Sequence, residues 1–177
     1  MNPSASPEMG SLRLFYALWP DDEVRDALMR VQQRIAGRKI RRGNLHLTLA
    51  FLGQQSVDRL PALEDALSSL SIETMRLSID RIGYFPHNRI AWSGMSRPSD
   101  PLIRLHHDLT DKLNDCGIVF DSTSRFRPHV TLARDADVPE DFEFDPIAWR
   151  ANHVVLMESM QDAGGVVYRV LASRRAE

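Results

Sequence analysis

One five-residue pattern occurs twice in this chain, and it constrains the fold more than any other feature of the sequence. The segment HLTLAFLG covers residues 46–53 and the segment HVTLAR covers residues 129–134, so His-x-Thr-Leu-Ala is repeated. A histidine and a threonine in an apolar run cost free energy to bury unless their polar atoms find partners. We therefore expect two similarly built strands whose polar side chains serve one site.

Each motif predicts one polar face and one apolar face, because residues i and i+2 share a face of a strand. The polar faces carry His46 with Thr48 and His129 with Thr131. The apolar faces, which we expect in the core, carry Leu45, Leu47, Leu49, Phe51, Val130 and Leu132. A pseudo-twofold between the two strands would bring two imidazoles and two hydroxyls together across a cleft.

Two imidazoles facing one cleft suit the hydrolysis of a phosphodiester without a metal ion. A neutral imidazole takes a proton from water and a protonated one donates to the leaving oxygen, each worth roughly 10²–10⁴-fold in rate. The threonine hydroxyls donate hydrogen bonds to phosphate oxygens, which gain charge in the transition state. The sequence has neither a Cys/His cluster with metal-ligand spacing nor a glycine-rich phosphate loop, so we expect no metal and no cofactor.

Composition narrows the class of protein further. A chain of 177 residues suits one ordinary domain, and a net charge of −2 argues against coating nucleic acid by bulk charge. Five of the nine residues 34–42 are basic, and they form either a local track for phosphates or a solvated helix end and loop. Cys116 is the single cysteine, which favours a reducing cytoplasm and excludes an internal disulfide.

The sequence also predicts which parts of the chain form a membrane span, a tail or a folded domain. No apolar run approaches the roughly 20 residues that cross a bilayer, so we expect no membrane association. Residues 1–11 lack the basic and apolar regions of a secretory signal and are predicted to form a disordered tail. Residues 12–177 are predicted to form a single domain.

Strands and helices alternate irregularly in the predicted element order, without a repeated βαβ unit. Hydrophobic periodicity and turn residues predict strands over residues 12–19, 46–52, 75–82, 89–93, 129–134, 153–157 and 166–172. Helices are predicted between residues 21 and 37, from Ser56 as N-cap to about Leu70, and from Asp100 as N-cap to Gly117. We predict an α+β fold with two similar lobes of mostly antiparallel sheet and packed helices, related by a pseudo-twofold, with the active-site cleft between them.

Four segments, RLFYAL, NLHLTLAFLG, GYFPHNRIAWSG and FRPHVTLAR, together resemble the 2H phosphoesterase superfamily. Within it they are most similar to the RNA 2′,3′-cyclic phosphodiesterases, also called 2′-5′ RNA ligases, over about residues 12–171. The resemblance implies a bilobal α+β fold with its site in the central cleft. It also implies hydrolysis of a terminal 2′,3′-cyclic phosphate to a 2′-phosphomonoester, with 2′-5′ ligation as a further reaction.

The resemblance implies a role for each motif residue. His46 matches the proton donor to the leaving 3′-oxygen, and His129 matches the proton acceptor for water. Thr48 and Thr131 match the phosphate-binding threonines. The implied substrates are RNA ends or nucleotides with a 2′,3′-cyclic phosphate, and we expect a monomer.

Two arginines near the second motif extend the implied site. Arg127 matches an arginine that precedes this motif in many relatives, and Arg134 matches a basic residue that often follows it; a guanidinium there pairs with phosphate. Relatives often carry an aromatic residue or prolines before the first motif. The stretch RKIRRGN departs from that pattern and favours contacts with phosphates over base stacking.

Two other functions stay open on the sequence alone. One is a 2H phosphodiesterase acting on a small cyclic nucleotide or a 2′,5′-linked oligonucleotide. The other is a non-catalytic nucleotide-binding module on the same fold. The intact histidine pair argues against the second, since a protein that only binds needs no acid and base.

Overall fold

A computed structural model describes residues 10–177 of the chain. Most of the predicted tail lies outside the described residues, and Ser11 already begins the first strand. Within residues 10–177 the strands are Ser11–Leu18 (β1), Arg38–Lys39 (β2), Leu47–Ser56 (β3), Met75–Ile79 (β4), Arg81–Phe85 (β5), Ile90–Gly94 (β6), His129–Arg134 (β7), Ile147–Ala151 (β8), His153–Asp162 (β9) and Gly165–Arg175 (β10). The α-helices are Asp22–Gln32 (α1), Leu60–Ser68 (α2) and Asp100–Asp115 (α3).

The two motif strands are neighbours at the centre of one antiparallel sheet. The strand order is β10-β9-β1-β3-β7-β6-β5, with β2 beside β7, while β4 and β8 form a separate two-stranded sheet. Strands β3 and β7 pair through one residue pair, Leu47 opposite Val130. We call this junction the central seam, because it joins the half β10-β9-β1-β3 to the half β7-β6-β5.

The halves repeat one unit of strand, helix and motif strand. In the first half β1 leads through α1 to β3, and β1 pairs with β3; in the second β6 leads through α3 to β7, and β6 pairs with β7. Each helix contacts the motif strand of the other half, α1 on β7 and α3 on β3. The prediction of an α+β fold with two similar lobes is confirmed.

Side-chain caps determine where two of the helices begin. The Asp21 carboxylate accepts a hydrogen bond from the Val24 amide at 2.9 Å, which starts α1 as predicted. Helix α3 is capped by Ser99, whose hydroxyl accepts from the Leu102 amide, and not by Asp100. Asp100 therefore lies inside the first turn, where its negative charge meets the positive end of the helix dipole.

Helix α1 ends at Gln32, short of the predicted Gly37, and two further element boundaries also differ from the prediction. Ser56 makes no side-chain capping bond: β3 continues to Ser56, which pairs with Ser11 and precedes a 3₁₀ turn, and α2 starts only at Leu60. The strand predicted over residues 75–82 is two strands, because β4 pairs with β8 and β5 pairs with β6. Strand β8, which pairs with β4 outside the main sheet, was not predicted from the sequence.

Phe51 does not lie in the core. On β3, Leu49 is an extra residue opposite β1, because Thr48 and Ala50 pair with consecutive residues of β1. A bulge of this kind leaves one residue unpaired and reverses the alternation of faces beyond it. Phe51 is therefore 47% exposed, whereas Leu52 is buried.

The main sheet has a covered face and an open one. The covered face and the three helices enclose the core, with side chains such as Leu14, Tyr16 and Leu28 fully buried. The open face, which we call the front face, carries a separate small cluster: Phe15, Ala17, Val155 and Met157, with Trp19 and Tyr168 packed against it. No helix within residues 10–177 has the length and apolar character that a bilayer crossing requires.

Candidate active site

His46 immediately precedes β3 at the central seam, and both of its ring nitrogens are engaged. Nδ1–H donates to the Asn44 carbonyl at 2.6 Å, and the Asn44 side chain donates to the Val166 carbonyl on β10. In the neutral ring Nε2 is then the acceptor, and the Thr48 hydroxyl donates to it over 3.1 Å. These bonds set the tautomer and orientation of the His46 ring.

His129, the first residue of β7, repeats this arrangement. Its Nδ1–H donates to the Arg127 carbonyl at 2.6 Å, again two residues upstream. Thr131 shares the face of His129 and lies opposite Trp92 on β6. We call the histidine and threonine of one motif a half-site. Both half-sites therefore leave Nε2 as the nitrogen for chemistry.

Burial makes both imidazoles poor proton carriers in the absence of an anion. Burial, helped by the charges of His129, Arg25 and Arg134, lowers the pKa of His46 to about 4, against the opposing effect of the bond to Asn44. Burial and the charge of Arg134 likewise lower the pKa of His129. Both rings are neutral at pH 7, and a phosphate anion between them would raise both pKa values.

An aromatic wall surrounds His46 on the front face. Its ring centroid lies 4.9 Å from that of Phe15, and Tyr168 meets it edge-on at 5.2 Å. The indole of Trp19 is nearly parallel to it at 6.2 Å, and the Arg25 guanidinium lies over that indole at 4.4 Å. The imidazole is thus held between apolar surfaces, which is the cause of its desolvation.

A second, smaller aromatic wall lies beside His129. Phe85 meets its ring edge-on at 5.0 Å, and the Trp92 ring centroid is 5.9 Å away. The Trp92 indole lies flat on two glycines: a Cβ at Gly83 would come within 2.0 Å of the ring, and one at Gly94 within 2.9 Å. Glycine at both positions is what lets the indole lie on the sheet next to the histidine.

The two predicted arginines, Arg127 and Arg134, relate to the half-sites in different ways. Arg134 ends β7, is exposed, and its charge acts on His46, His129 and Tyr168. Arg127 contacts His129 through its backbone carbonyl. Within residues 10–177 neither guanidinium has an ion-pair or hydrogen-bond partner.

The basic stretch before the first motif is largely bound to the protein itself. Arg42 pairs with the carboxylates of Asp22 and Asp26, at 3.1 and 2.7 Å. Arg38 pairs with Asp135, and the Arg41 guanidinium donates to the Gly164 carbonyl. These contacts favour the interpretation of residues 34–42 as a helix end and loop rather than a phosphate track.

The histidine and threonine of each motif were predicted from the sequence to share a face, whereas neither aromatic wall was predicted. The wall residues Phe15, on β1, and Trp19, directly after β1, stand in an apolar run whose positions look like core. The sequence did contain a signal for the second wall: Gly83 and Gly94 flank Trp92 in GYFPHNRIAWSG, and two glycines leave room for an indole to lie on the sheet. Among residues 10–177, no group of three or more His, Cys, Asp or Glu side chains is placed to hold a metal ion.

The fold and the site define an α+β protein whose two similar lobes each contribute a histidine and a threonine to one centre. A family model described as the 2′-5′ RNA ligase superfamily matches residues 20–163, and the chain belongs to this family.

Characterised relatives and solved structures agree with this membership. An RNA 2′,3′-cyclic phosphodiesterase of Escherichia coli K12 is 35% identical over 128 residues, which cover 70% of this chain and 72% of the relative. One from Thermus thermophilus is 30% identical over 179 residues, covering 90% and 88%. The crystal structure of E. coli LigT in apo form superposes with a TM-score of 0.82 at 29% identity, covering 93% of this chain and 97% of LigT. The LigT complex with 3′-AMP gives the same TM-score and identity, covering 94% and 98%.

Proposed function

We propose that this chain is an RNA 2′,3′-cyclic 3′-phosphodiesterase that opens a terminal 2′,3′-cyclic phosphate to a 2′-phosphomonoester without a metal ion. The observation that carries the proposal is the pair of half-sites at the central seam, each with Nδ1 fixed on a backbone carbonyl, which leaves Nε2 as the nitrogen that can exchange a proton. The names of the characterised relatives supply the substrate class. A chain with the single cysteine Cys116 suits the cytoplasm, where we place the reaction.

The chemistry needs two proton transfers, and the two half-sites provide one each. His129 Nε2 takes a proton from water as the water oxygen bonds to phosphorus. The bond between phosphorus and the ribose 3′-oxygen breaks, and His46 Nε2–H donates its proton to that oxygen. His129 then carries the proton that His46 has lost, and exchange with solvent restores both rings.

Charge on the phosphate is stabilised by the groups around the imidazoles. Once His46 is protonated, the Thr48 hydroxyl no longer donates to it and turns to a non-bridging oxygen, as the Thr131 hydroxyl does. The nearby charge of Arg134 offsets the charge that gathers on phosphate. A 5′-hydroxyl that replaces water as nucleophile forms a 2′-5′ linkage by the same steps.

The position of the product phosphate tests the function directly. An oligoribonucleotide ending in a 2′,3′-cyclic phosphate is expected to yield a terminal 2′-phosphate, since the 3′-oxygen is the protonated leaving group. Phosphorus NMR of the product, against synthetic 2′- and 3′-phosphate standards, distinguishes the two outcomes. A 3′-phosphate product, or an intact cyclic phosphate, would contradict the proposal.

Chelation tests the metal-independent mechanism separately. Protein dialysed against EDTA is expected to retain full turnover, because side chains carry both proton transfers and the stabilising charge. Initial rates are compared before and after dialysis, with metal content measured by mass spectrometry. Loss of turnover that a divalent ion restores would show that the two imidazoles do not act alone.

A further inference from the structure

An exposed aromatic ring on the front face lies outside both aromatic walls. The bulge at Leu49 turns Phe51 onto this face, opposite Phe15 of β1, and leaves it 47% exposed. Phe15 in turn contacts His46, so the residue that pairs with Phe51 on the neighbouring strand also touches the first half-site. Phe51 lies three residues beyond Thr48, about 10 Å along the strand.

A cation accompanies this ring. The Arg13 guanidinium lies over the Phe51 ring, 4.9 Å from its centroid, and Arg13 is exposed. Among residues 10–177 this guanidinium has no carboxylate partner. An aromatic face with an unpaired guanidinium is the combination that binds single-stranded nucleic acid, since bases stack on the ring and the cation attracts the backbone phosphate.

Positive charge connects this pair to the half-sites. Tyr168 contacts Phe15 and His46 and is close enough to both arginines to feel their charge: burial raises the pKa of its hydroxyl, and the charges of Arg134 and Arg13 oppose that rise. Arg134 also acts on both histidines. Arg13 and Arg134 are therefore two cations near the half-sites without a carboxylate partner among residues 10–177. In the stretch 34–42, by contrast, Arg38 and Arg42 are neutralised by carboxylates.

We propose that Arg13 and Phe51 form a second nucleotide subsite, which holds the nucleotide adjoining the terminal cyclic phosphate of an RNA strand. Its base stacks on Phe51, and its phosphate binds Arg13. The inference rests on the proposed function and deepens it, because it makes the substrate an RNA strand rather than a cyclic mononucleotide.

Two substrates and four variants test the subsite. A hexaribonucleotide ending in a 2′,3′-cyclic phosphate occupies it, whereas 2′,3′-cyclic AMP does not reach it. Stacking is worth roughly 1–3 kcal/mol per base, so Phe51→Leu is expected to raise KM for the hexanucleotide about tenfold, with Phe51→Tyr close to wild type. Arg13→Gln is expected to flatten the slope of log KM against log salt by about 0.7. KM for 2′,3′-cyclic AMP should not change in any variant.

Arg34→Gln is the matched control. The Arg34 guanidinium also lies over an aromatic ring, that of Phe142 at 3.9 Å, but it belongs to the basic stretch. The control is expected to leave both substrates and the salt slope unchanged. An effect of Arg34→Gln on the hexanucleotide with none from Arg13→Gln would move the RNA to residues 34–42 and overturn the subsite.

Other results would also support or contradict the second nucleotide subsite. Equal losses on both substrates from Phe51→Leu would place Phe51 in the catalytic centre or the fold, and unchanged kinetics would remove the subsite. Fluorescence anisotropy with a hexanucleotide ending in a 3′-phosphate, competed by 3′-AMP, reports binding independently of turnover. Weaker hexanucleotide binding by Phe51→Leu with no turnover by the wild type would keep the subsite and reject the proposed function.

Discussion

Replacing His46 or His129 by alanine is expected to lower kcat by at least about 10²-fold in a protein that remains folded. In the proposed mechanism each imidazole carries one proton transfer that the other cannot perform in the same turnover, and a lost acid or base typically costs about 10²–10⁴-fold. The measurement is a single-turnover rate on the cyclic-phosphate oligonucleotide, with circular dichroism to verify folding.

An exposed histidine outside the front face provides the control for this experiment. His107 lies on α3 and is solvent-facing, so His107→Ala removes an imidazole without touching either half-site. Its kcat should equal that of the wild type. Near-normal turnover in His46→Ala or His129→Ala would mean that the chemistry does not depend on the paired histidines.

The dependence of kcat/KM on pH is expected to be a bell whose maximum lies below about pH 6.5, the ordinary pKa of histidine. The lowered pKa of the acid, about 4 for His46, means that His46 loses its proton at lower pH, so the alkaline limb of the profile shifts to lower pH. The lowered pKa of the base, His129, keeps that ring neutral at lower pH, so the acidic limb also shifts to lower pH. Between about pH 6.5 and 8, kcat/KM is therefore expected to fall about 30-fold, at roughly tenfold per unit.

The corresponding profile of kcat should lie at higher pH, because the bound phosphate anion raises the pKa of both imidazoles. Since the two rings interact, each limb belongs to the pair and not to one residue. Rates from about pH 4.5 to 9 in buffers of constant ionic strength give both profiles. A flat kcat/KM between about pH 5 and 9, with chemistry rate-limiting, would be incompatible with an acid–base pair at His46 and His129.

The sequence alone predicted the two half-sites and the two-lobed fold because a repeated local pattern carries that information. His46 with Thr48, and His129 with Thr131, share a face simply because a strand alternates. The long helix α3 was equally visible from its leucine spacing. Such features depend on neighbours two to four residues apart.

Features that depend on distant partners were not predictable. Phe51 was predicted in the core because periodicity cannot detect the bulge that register with β1 imposes on β3. Tyr168 joins the wall around His46 from the last strand, and nothing local in VVYRVLA indicates that neighbour. The sequence left the stretch 34–42 open between a phosphate track and a helix end and loop, because the carboxylates that neutralise Arg42 lie on the preceding helix.

The repeat places two chemically equivalent imidazoles in different surroundings. This difference is what can make one imidazole the proton donor and the other the proton acceptor. Equivalent hydrogen bonds to the Asn44 and Arg127 carbonyls make either ring competent to give or to take a proton. What differs is the wall beside each ring, three aromatic side chains at one and two at the other. A cyclic phosphate has unlike ends, so the wall that accepts the ribose decides which imidazole faces the leaving oxygen. In the proposed mechanism, the direction of proton transfer is thus set by the aromatic walls of the two lobes and not by the histidines themselves.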